Sequence, residues 1–417
     1  MALAGSSVSG KQRVLSSAHD IRDYALAHLG KCFFWVAGDA LTIYILIRHN
    51  GYASRSAGLI FLAALLWNAL CDVLVGLWAD RRGAAGRSMA GILGFAAPLM
   101  GLAFAASLFL SNQHVVLTVG AALLFRTAFS VFDVPHNAMM ARLSTTPALG
   151  VKIANLRTIC SGIASLVVGI VAMPLLARSD SMSTVLLIAP LATVAVALML
   201  PFLAIVPRLE RLPYHTAQVG GMPSLGFVPL CVVTALGTIA LGVLGKAVLH
   251  LDLSRSQWTM GILLALMLGR VVAVGVTGTL IARLGSAGAL RIAYLASTVL
   301  ILCLPLAVAA DARAALAVVV VFGIASGAVT IVSWVILATL VQSPGTRSQR
   351  GALRFGVFTM IAKVILGVGG FLLGAILSYS IGAAPAEATM SPATLWGLCL
   401  VTASGTLLAA IECRVRT

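Results

Sequence analysis

"WNALCDVLVGLWADRRG" runs from Trp67 to Gly83. Asn68 and Asp72 sit inside an apolar run that then breaks abruptly into Asp80-Arg81-Arg82-Gly83. A helix needs about 20 apolar residues to cross the hydrocarbon of a bilayer. The chain holds a dozen such runs, near 24–48, 56–79, 88–111, 115–141, 153–177, 182–206, 225–249, 257–282, 289–309, 314–341, 352–380 and 393–412. Transmembrane strands would need alternation over about ten residues, and none is visible. The expectation is an all-α membrane protein with twelve transmembrane helices.

Composition points the same way. Of 417 residues, 60% are hydrophobic and 10% are charged, against about a quarter charged in soluble domains. The mean hydropathy is +1.05. The first apolar run follows Lys11, Arg13, Asp20, Arg22 and Asp23 and lacks a clear cleavage site, so it reads as a retained span rather than a signal peptide. The seven cysteines form no C-x-x-C and no zinc spacing, and read as small apolar packers.

The net charge of +16 would suit nucleic acid, but its distribution does not. With the N-terminus inside, seventeen of the 28 Lys and Arg fall on cytoplasmic loops and tails, among them Arg81, Arg82, Arg87, Arg142, Arg208 and Arg283. Five fall on the opposite side, at Arg48, Arg55, Arg178, Arg255 and Arg313. This is the positive-inside pattern for an even number of spans. It predicts a multi-pass protein of the plasma (inner) membrane with both termini cytoplasmic, with the lipid bilayer as its partner and no nucleic acid.

The most polar interior stretch, "PRLERLPYHTAQVGGMPS" (207–224), separates six spans from six. The expected organisation is therefore an N-terminal six-helix bundle over 1–206, a cytoplasmic linker over 207–224 and a C-terminal six-helix bundle over 225–417. An internal repeat supports it. "GLWADRRGAAGR" (76–87) aligns with "GTLIARLGSAGA" (278–289), pairing Gly76 with Gly278, Arg81 with Arg283, Gly83 with Gly285 and Gly86 with Gly288. Two such halves in parallel repeat, with a solute site between them near mid-membrane, are the plan of major facilitator transporters. Gly76, Asp80, Arg81, Gly83 and Arg87 resemble the signature loop of that superfamily. The resemblance implies that the acid faces helix ends and basic groups and holds the inside gate shut. The plainer reading is a positive-inside turn with no gate.

Nine ionisable residues besides histidine lie within the apolar runs: Asp39, Asp72, Asp133, Lys31, Arg126, Arg157, Lys246, Arg270 and Lys363. Each costs about 2.5–3.5 kcal/mol to insert when unpaired, so function with a partner is the first reading. Ion pairs within the bundle, or snorkelling near span ends, is the other. Lys31, Arg157 and Lys246 lie near the ends of their apolar runs, where snorkelling and function are equal readings. Asp72, Asp133, Arg126, Arg270 and Lys363 lie deeper.

"WNALCDVLVG", "SVFDVPHNAMMARL" followed by "NLRTI", and "RSQRGALRFGVFTMIAKVILGVGG" resemble the glycoside–pentoside–hexuronide:cation symporters, the melibiose permease-like family. The resemblance implies a cation-coupling site of Asp72, Asp133, Ser130 and Asn68 with Lys363 beside it. Arg157 corresponds to that family's Arg at the start of the fifth span. Pro135 frees a backbone carbonyl one turn back and leaves a polar notch beside Asp133.

The departures from the pattern matter as much. Asn68 stands for the family's first acid, Cys71 for its amide and Val73 for its proline. Sodium would keep few hard oxygen ligands, and a thiol suits it poorly. A buried carboxylate can still carry a proton, so H+ is expected ahead of Na+, with no other cofactor and no metal. In the galactoside signature the acid after Gly30-Lys31 is here Cys32, and the stacking Trp after Asp133 is here Asn137, so sugar is expected to be a poor substrate. Asp39, about two turns beyond Cys32, is positioned to substitute for the lost acid. Arg126, seven residues before Asp133 on one face, would pair with it or meet an anionic solute. The six intramembrane cations outnumber the three acids, which favours a negatively charged solute. The expected substrate-binding set is Cys32, Asp39, Arg126, Asn137, Arg157 and Arg270.

His28 and His136 lack metal spacing and read as packing or local hydrogen-bonding residues. There is no phosphate-binding loop and so no ATP motor. The resulting expectation is a secondary active transporter of a small organic solute, not an enzyme. It would work by alternating access with proton symport, as a monomer. A lysolipid or amphiphile carrier and a drug-type exporter are the alternatives within the fold. A channel or an intramembrane enzyme lies outside it.

Overall fold

The computed structural model describes residues 18–42, 45–46, 50–52, 54–110, 114–177, 181–212, 225–247, 256–342, 350–381 and 391–413. Among these residues the chain is a stack of long helices: α1 (Ala18–Ala40), α2 (Ser54–Ala84), α3 (Ala90–Phe109), α4 (Val115–Leu143), α5 (Pro147–Ala177), α6 (Ser181–Arg211), α7 (Phe227–Ala247), α8 (Ser256–Ala310), α9 (Ala312–Gln342), α10 (Gly351–Ile381) and α11 (Pro392–Glu412). α8 is two membrane-length arms joined at Gly285, whose φ of 70° interrupts the helix.

The outside of the stack is apolar. Val116, Val401 and Leu102 are more than 70% exposed, a surface that suits lipid and not water. α1–α6 pack mainly on one another, as do α7–α11. Between the two sets, α2 lies along α10, α5 along α8 and α9, and α4 against both α9 and α10. Small residues let the α2–α10 pair approach closely. A Cβ on Gly76 would stand 2.8 Å from the Ala352 carbonyl oxygen and from Leu353 Cα, and one on Gly356 would collide with the Asp72 carbonyl. Glycine is required there by backbone proximity, as is common where membrane helices cross tightly.

Three details differ from the sequence reading. α1 begins at Ala18 rather than 24 and α5 at Pro147 rather than 153, because a helix continues past the hydrocarbon edge where an apolar run stops. For the same reason α6 extends to Arg211, so the first residues of the 207–224 linker are helical, while 213–224 lie outside the described residues. The repeat also shifts in register. The left-handed turn of the first half is Gly86 (φ 67°), not Gly83, whereas that of the second half is Gly285, the partner of Gly83. Gly83 is helical, and a Cβ there would meet nothing within 4 Å.

Candidate functional site

Four buried charges from four helices meet where the two sets face each other. Asp72 of α2 is fully buried. Its Oδ1 accepts the Ser130 hydroxyl at 2.6 Å, and its Oδ2 is 2.6 Å from Lys363 Nζ of α10. Asn68, one turn before Asp72, donates to Ser130 Oγ at 2.6 Å and to the Arg126 carbonyl at 3.1 Å. The Ser130 hydroxyl has the Asn68 carbonyl at 3.2 Å as its other acceptor, and the carboxylate is the nearer of the two. Asp133 of α4 receives Lys31 of α1 at 2.5 Å and the Asn137 amide at 3.0 Å. Its other oxygen is 3.6 Å from Lys363.

The result is an alternating chain, Lys31–Asp133–Lys363–Asp72, with two positive and two negative charges. Isolated, each would be too costly to hold in hydrocarbon; in sequence each has an opposite neighbour. Lys363 alone comes from the α7–α11 set. It packs over the rings of Phe129 (5.1 Å) and Trp35 (5.5 Å), which shield it from water and support the cation electrostatically.

A second polar chain extends from Asn137. Its Oδ1 accepts from Lys31 at 2.6 Å and from Arg157 at 2.9 Å. Arg157 also donates to the Tyr24 hydroxyl at 2.6 Å and lies 4.0 Å above the ring of Trp334 on α9. His136 stacks on Tyr24 with ring centres 4.2 Å apart, and His28 stacks beyond His136 at 5.7 Å. His28 Nε2 also lies 3.5 Å from Cys32 Sγ.

These groups border a cavity of about 390 Å³ between the two sets of helices. Lys31, Cys32, Asp133, Asn137 and Arg157 line one wall, and Arg270, Thr234, Ser326, Trp334 and Lys363 line the other. Asp72 lies behind Lys363, off the wall.

The expected residues thus fall into three groups. Asp72, Asp133, Ser130, Asn68 and Lys363 form one connected cluster. Cys32, Asn137, Arg157 and Arg270 reach the cavity. Asp39 and Arg126 are not on its wall: Arg126 packs on Gly38 and over Phe125, Trp35 and Phe61, within electrostatic reach of Asp39. Seven residues of helix put Arg126 on the Asp133 face but about 10 Å along the axis, which is a different level of the bundle. It makes no hydrogen bond to Asp133 there.

Lys31 and Arg157, for which snorkelling stood level with a functional role, are buried at 4% and 5% exposure. Their helices begin about two turns earlier than their apolar runs, which places both side chains deep. The sequence offered no signal for Trp334 or Tyr24, because an aromatic residue in an apolar run is indistinguishable from core.

At the end of the stack where α2 and α4 finish, Asp80 crosses to the other set. Its two oxygens accept the N–H groups of Ala352 (2.9 Å) and Leu353 (2.8 Å), the first turn of α10. A carboxylate there satisfies two of the donors a helix start leaves open and meets the positive end of its dipole. Arg142 and Arg350 lie within electrostatic reach of Asp80. Gln342 adds a second crossing, donating to the Ala141 (2.5 Å) and Ser144 (2.8 Å) carbonyls at the end of α4. Arg81, Gly83 and Arg87 face outward at this end. Arg82, by contrast, stacks on Trp78 and donates to the Ser88 carbonyl.

The charge chain carries a stability prediction. Asp133→Asn strips Lys31 of its counter-ion and leaves Lys363 only Asp72. Breaking a buried pair from one side costs about 3–5 kcal/mol. Asp72→Asn costs less, because Lys363 keeps Asp133 at 3.6 Å. Thermal unfolding in detergent is expected to rank wild type above Asp72→Asn and Asp72→Asn well above Asp133→Asn. Equal midpoints for the two variants would contradict the assignment.

The model of the family described as MFS/sugar transport protein matches residues 24–411. No curated protein sequence matches the chain. Among solved structures it is similar to a bacterial homologue of the iron transporter ferroportin in an outward-facing state, with a TM-score of 0.69 and 12% identity over 94% of this chain and 98% of that one. It is also similar to the proton:xylose symporter XylE bound to 6-bromo-6-deoxy-D-glucose, with a TM-score of 0.65 and 12% identity over 94% and 95%. The human organic anion transporter MFSD10 (TETRAN) aligns with a TM-score of 0.61 and 12% identity over 95% and 99%. At such identities the likeness is one of fold. The family match covers nearly the whole chain, and with the two-set helical architecture and apolar exterior it places the chain in the MFS/sugar transport protein family, as a multi-pass membrane transporter of the major facilitator fold and not an enzyme.

Proposed function

We propose that the chain is a proton-coupled symporter, a melibiose permease-like member of its family, that carries a small organic solute by alternating access. One observation carries this reading: among the described residues Lys363 is the only cation of the α7–α11 set in the buried charge chain, and it lies between Asp72 at 2.6 Å and Asp133 at 3.6 Å. A charge bridge between the moving halves links protonation to motion. When Asp72 takes a proton, Lys363 loses one of its two negative partners and shifts its attraction to Asp133. Asp133 keeps Lys31 in either state. Asp72 therefore loads and unloads the proton, while Asp133 holds the adjoining cavity wall in place.

The donor set favours a proton over sodium. The carboxylate oxygens already face two ammonium groups, the Ser130 hydroxyl and the Asn137 amide, and Cys71 adds only a soft sulfur. A proton needs a single oxygen and no coordination shell. Asp80 on the first turn of α10, with Gln342 on the end of α4, closes one end of the stack. This contact must break for the solute to leave on that side.

In this reading the protein works as a monomer in the plasma membrane, with the Asp80 end cytoplasmic, because the cations of loops and tails gather there. A cysteine at Ala217 is expected to react with an impermeant thiol reagent only after the cells are opened. Reaction from outside intact cells would overturn the orientation. Coupling is tested in proteoliposomes of the purified protein, with a panel of labelled solutes and an imposed pH gradient. Accumulation that follows the pH gradient and is indifferent to a sodium gradient is the expected result; sodium-driven accumulation without pH dependence would contradict it.

A further inference from the structure

The charges on the cavity wall do not balance, and the excess is concentrated in two arginines. The cations lining the cavity are Lys31, Arg157, Arg270 and Lys363, and the acid is Asp133. Lys31 is matched by Asp133 and Lys363 by Asp72. Arg157 is held by neutral acceptors, the Tyr24 hydroxyl and the Asn137 carbonyl, and by the face of Trp334; its Nε has no partner. Arg270 lies opposite on α8, half-buried, with no hydrogen bond or ion pair to any described residue. Thr234 of α7 also lines the cavity and is buried with its hydroxyl unpartnered.

A guanidinium aimed into a membrane cavity without a counter-ion is costly to keep. The cost falls when a ligand supplies the missing charge. Guanidinium groups are planar forks matched to carboxylate, sulfonate and phosphate oxygens.

We propose that the transported solute is an organic anion whose carboxylate, sulfonate or phosphate is held between Arg157 of α5 and Arg270 of α8, with the Thr234 hydroxyl as a further donor. The inference rests on the reading of the cavity as the transport site and adds the chemical class of what enters it. The two arginines belong to opposite sets of helices and line the same cavity. An anion held by both adds an attraction to each half and draws the halves together, so the solute's charge itself favours closure around it. A neutral solute of the same size adds neither attraction.

The test reads the sign of the cavity field and does not require the solute to be known. Cys32 lines the cavity. With the other cysteines replaced, its modification by an anionic methanethiosulfonate (ethylsulfonate) is compared with that by a cationic one (ethyltrimethylammonium), each rate normalised to a small free thiol. Thr238→Cys on the opposite wall is a second reporter. The normalised rate is expected to favour the anionic reagent by on the order of tenfold or more at low salt. The preference should fall toward unity in Arg270→Gln and persist in Arg270→Lys. Free glucuronate, but not glucose, should slow labelling in the unmodified cavity and not in Arg270→Gln.

A preference for the cationic reagent, or an anionic preference unaffected by Arg270→Gln in protein that stays monodisperse, would overturn the proposal. If Arg270→Gln does not fold, the sign and salt dependence of the preference in protein with Arg270 intact still decide. Proton coupling plays no part in the labelling, so loss of pH-driven uptake and loss of the anionic preference are separate failures.

Discussion

Asp72→Asn is expected to abolish accumulation of solute against its gradient, with pH-driven uptake into proteoliposomes falling to the level of protein-free vesicles. The amide matches the carboxylate in shape and keeps an acceptor for the Ser130 hydroxyl, which now donates to Asp72 Oδ1 at 2.6 Å. Lys363 retains Asp133, so the fold survives. What is lost is a group that changes charge during the cycle. Lys363 then leans on Asp133 permanently, and no proton event moves it. Exchange of labelled for unlabelled solute across the membrane should persist, because exchange does not require the proton to be released. A purified Asp72→Asn protein that still concentrates solute under a pH gradient would move the coupling role to Asp133.

Asp80→Ala should have the second large effect, on the balance between open and closed states. It removes both carboxylate contacts to the Ala352 and Leu353 N–H groups. Each bond to a charged group is worth about 1.5–3 kcal/mol, so losing one shifts the equilibrium roughly 10- to 100-fold and losing both shifts it further. Asp80→Asn keeps one acceptor oxygen and should fall between. Spin labels on Ala85→Cys and Arg350→Cys, both on exposed positions flanking the contact, report the separation by electron–electron resonance. A longer-distance population should grow from wild type to Asn to Ala. Identical distance distributions in all three would show that Asp80 caps the helix without holding the halves together.

The parts of this arrangement that were legible in the sequence are those in which a charge interrupts an apolar run. Asp72, Asp133 and Lys363 stand out because hydrocarbon tolerates a carboxylate or an ammonium only at a price, and Asp80 because it closes a membrane-length run with a signature turn. The sequence was less informative where position along the helix mattered. Lys31 and Arg157 were ambiguous between snorkelling and function because hydropathy marks where the apolar residues begin, whereas α1 and α5 begin earlier and carry both side chains into the bundle. Arg126 looked central by helical periodicity, which gives the face and not the level. Nothing in one dimension pointed to Trp334 above Arg157 or Gly356 against Asp72, because both contacts join residues far apart in the chain. The shifted left-handed turn, Gly86 in one half and Gly285 in the other, was equally hidden, since several glycines in each loop can adopt it.

Infrared spectroscopy can observe, without a known solute, whether Asp72 gains and loses a proton within the closed charge chain. Difference spectra of the reconstituted protein between mildly alkaline and mildly acidic buffer should show a carbonyl band of a protonated, buried carboxyl growing as pH falls. That band should be present in wild type, absent in Asp72→Asn, and altered in Lys363→Gln, where the neighbouring ammonium no longer holds the carboxylate charged. A wild-type spectrum with no such band, or a band that survives unchanged in Asp72→Asn, would show that Asp72 is not the group that takes up the proton.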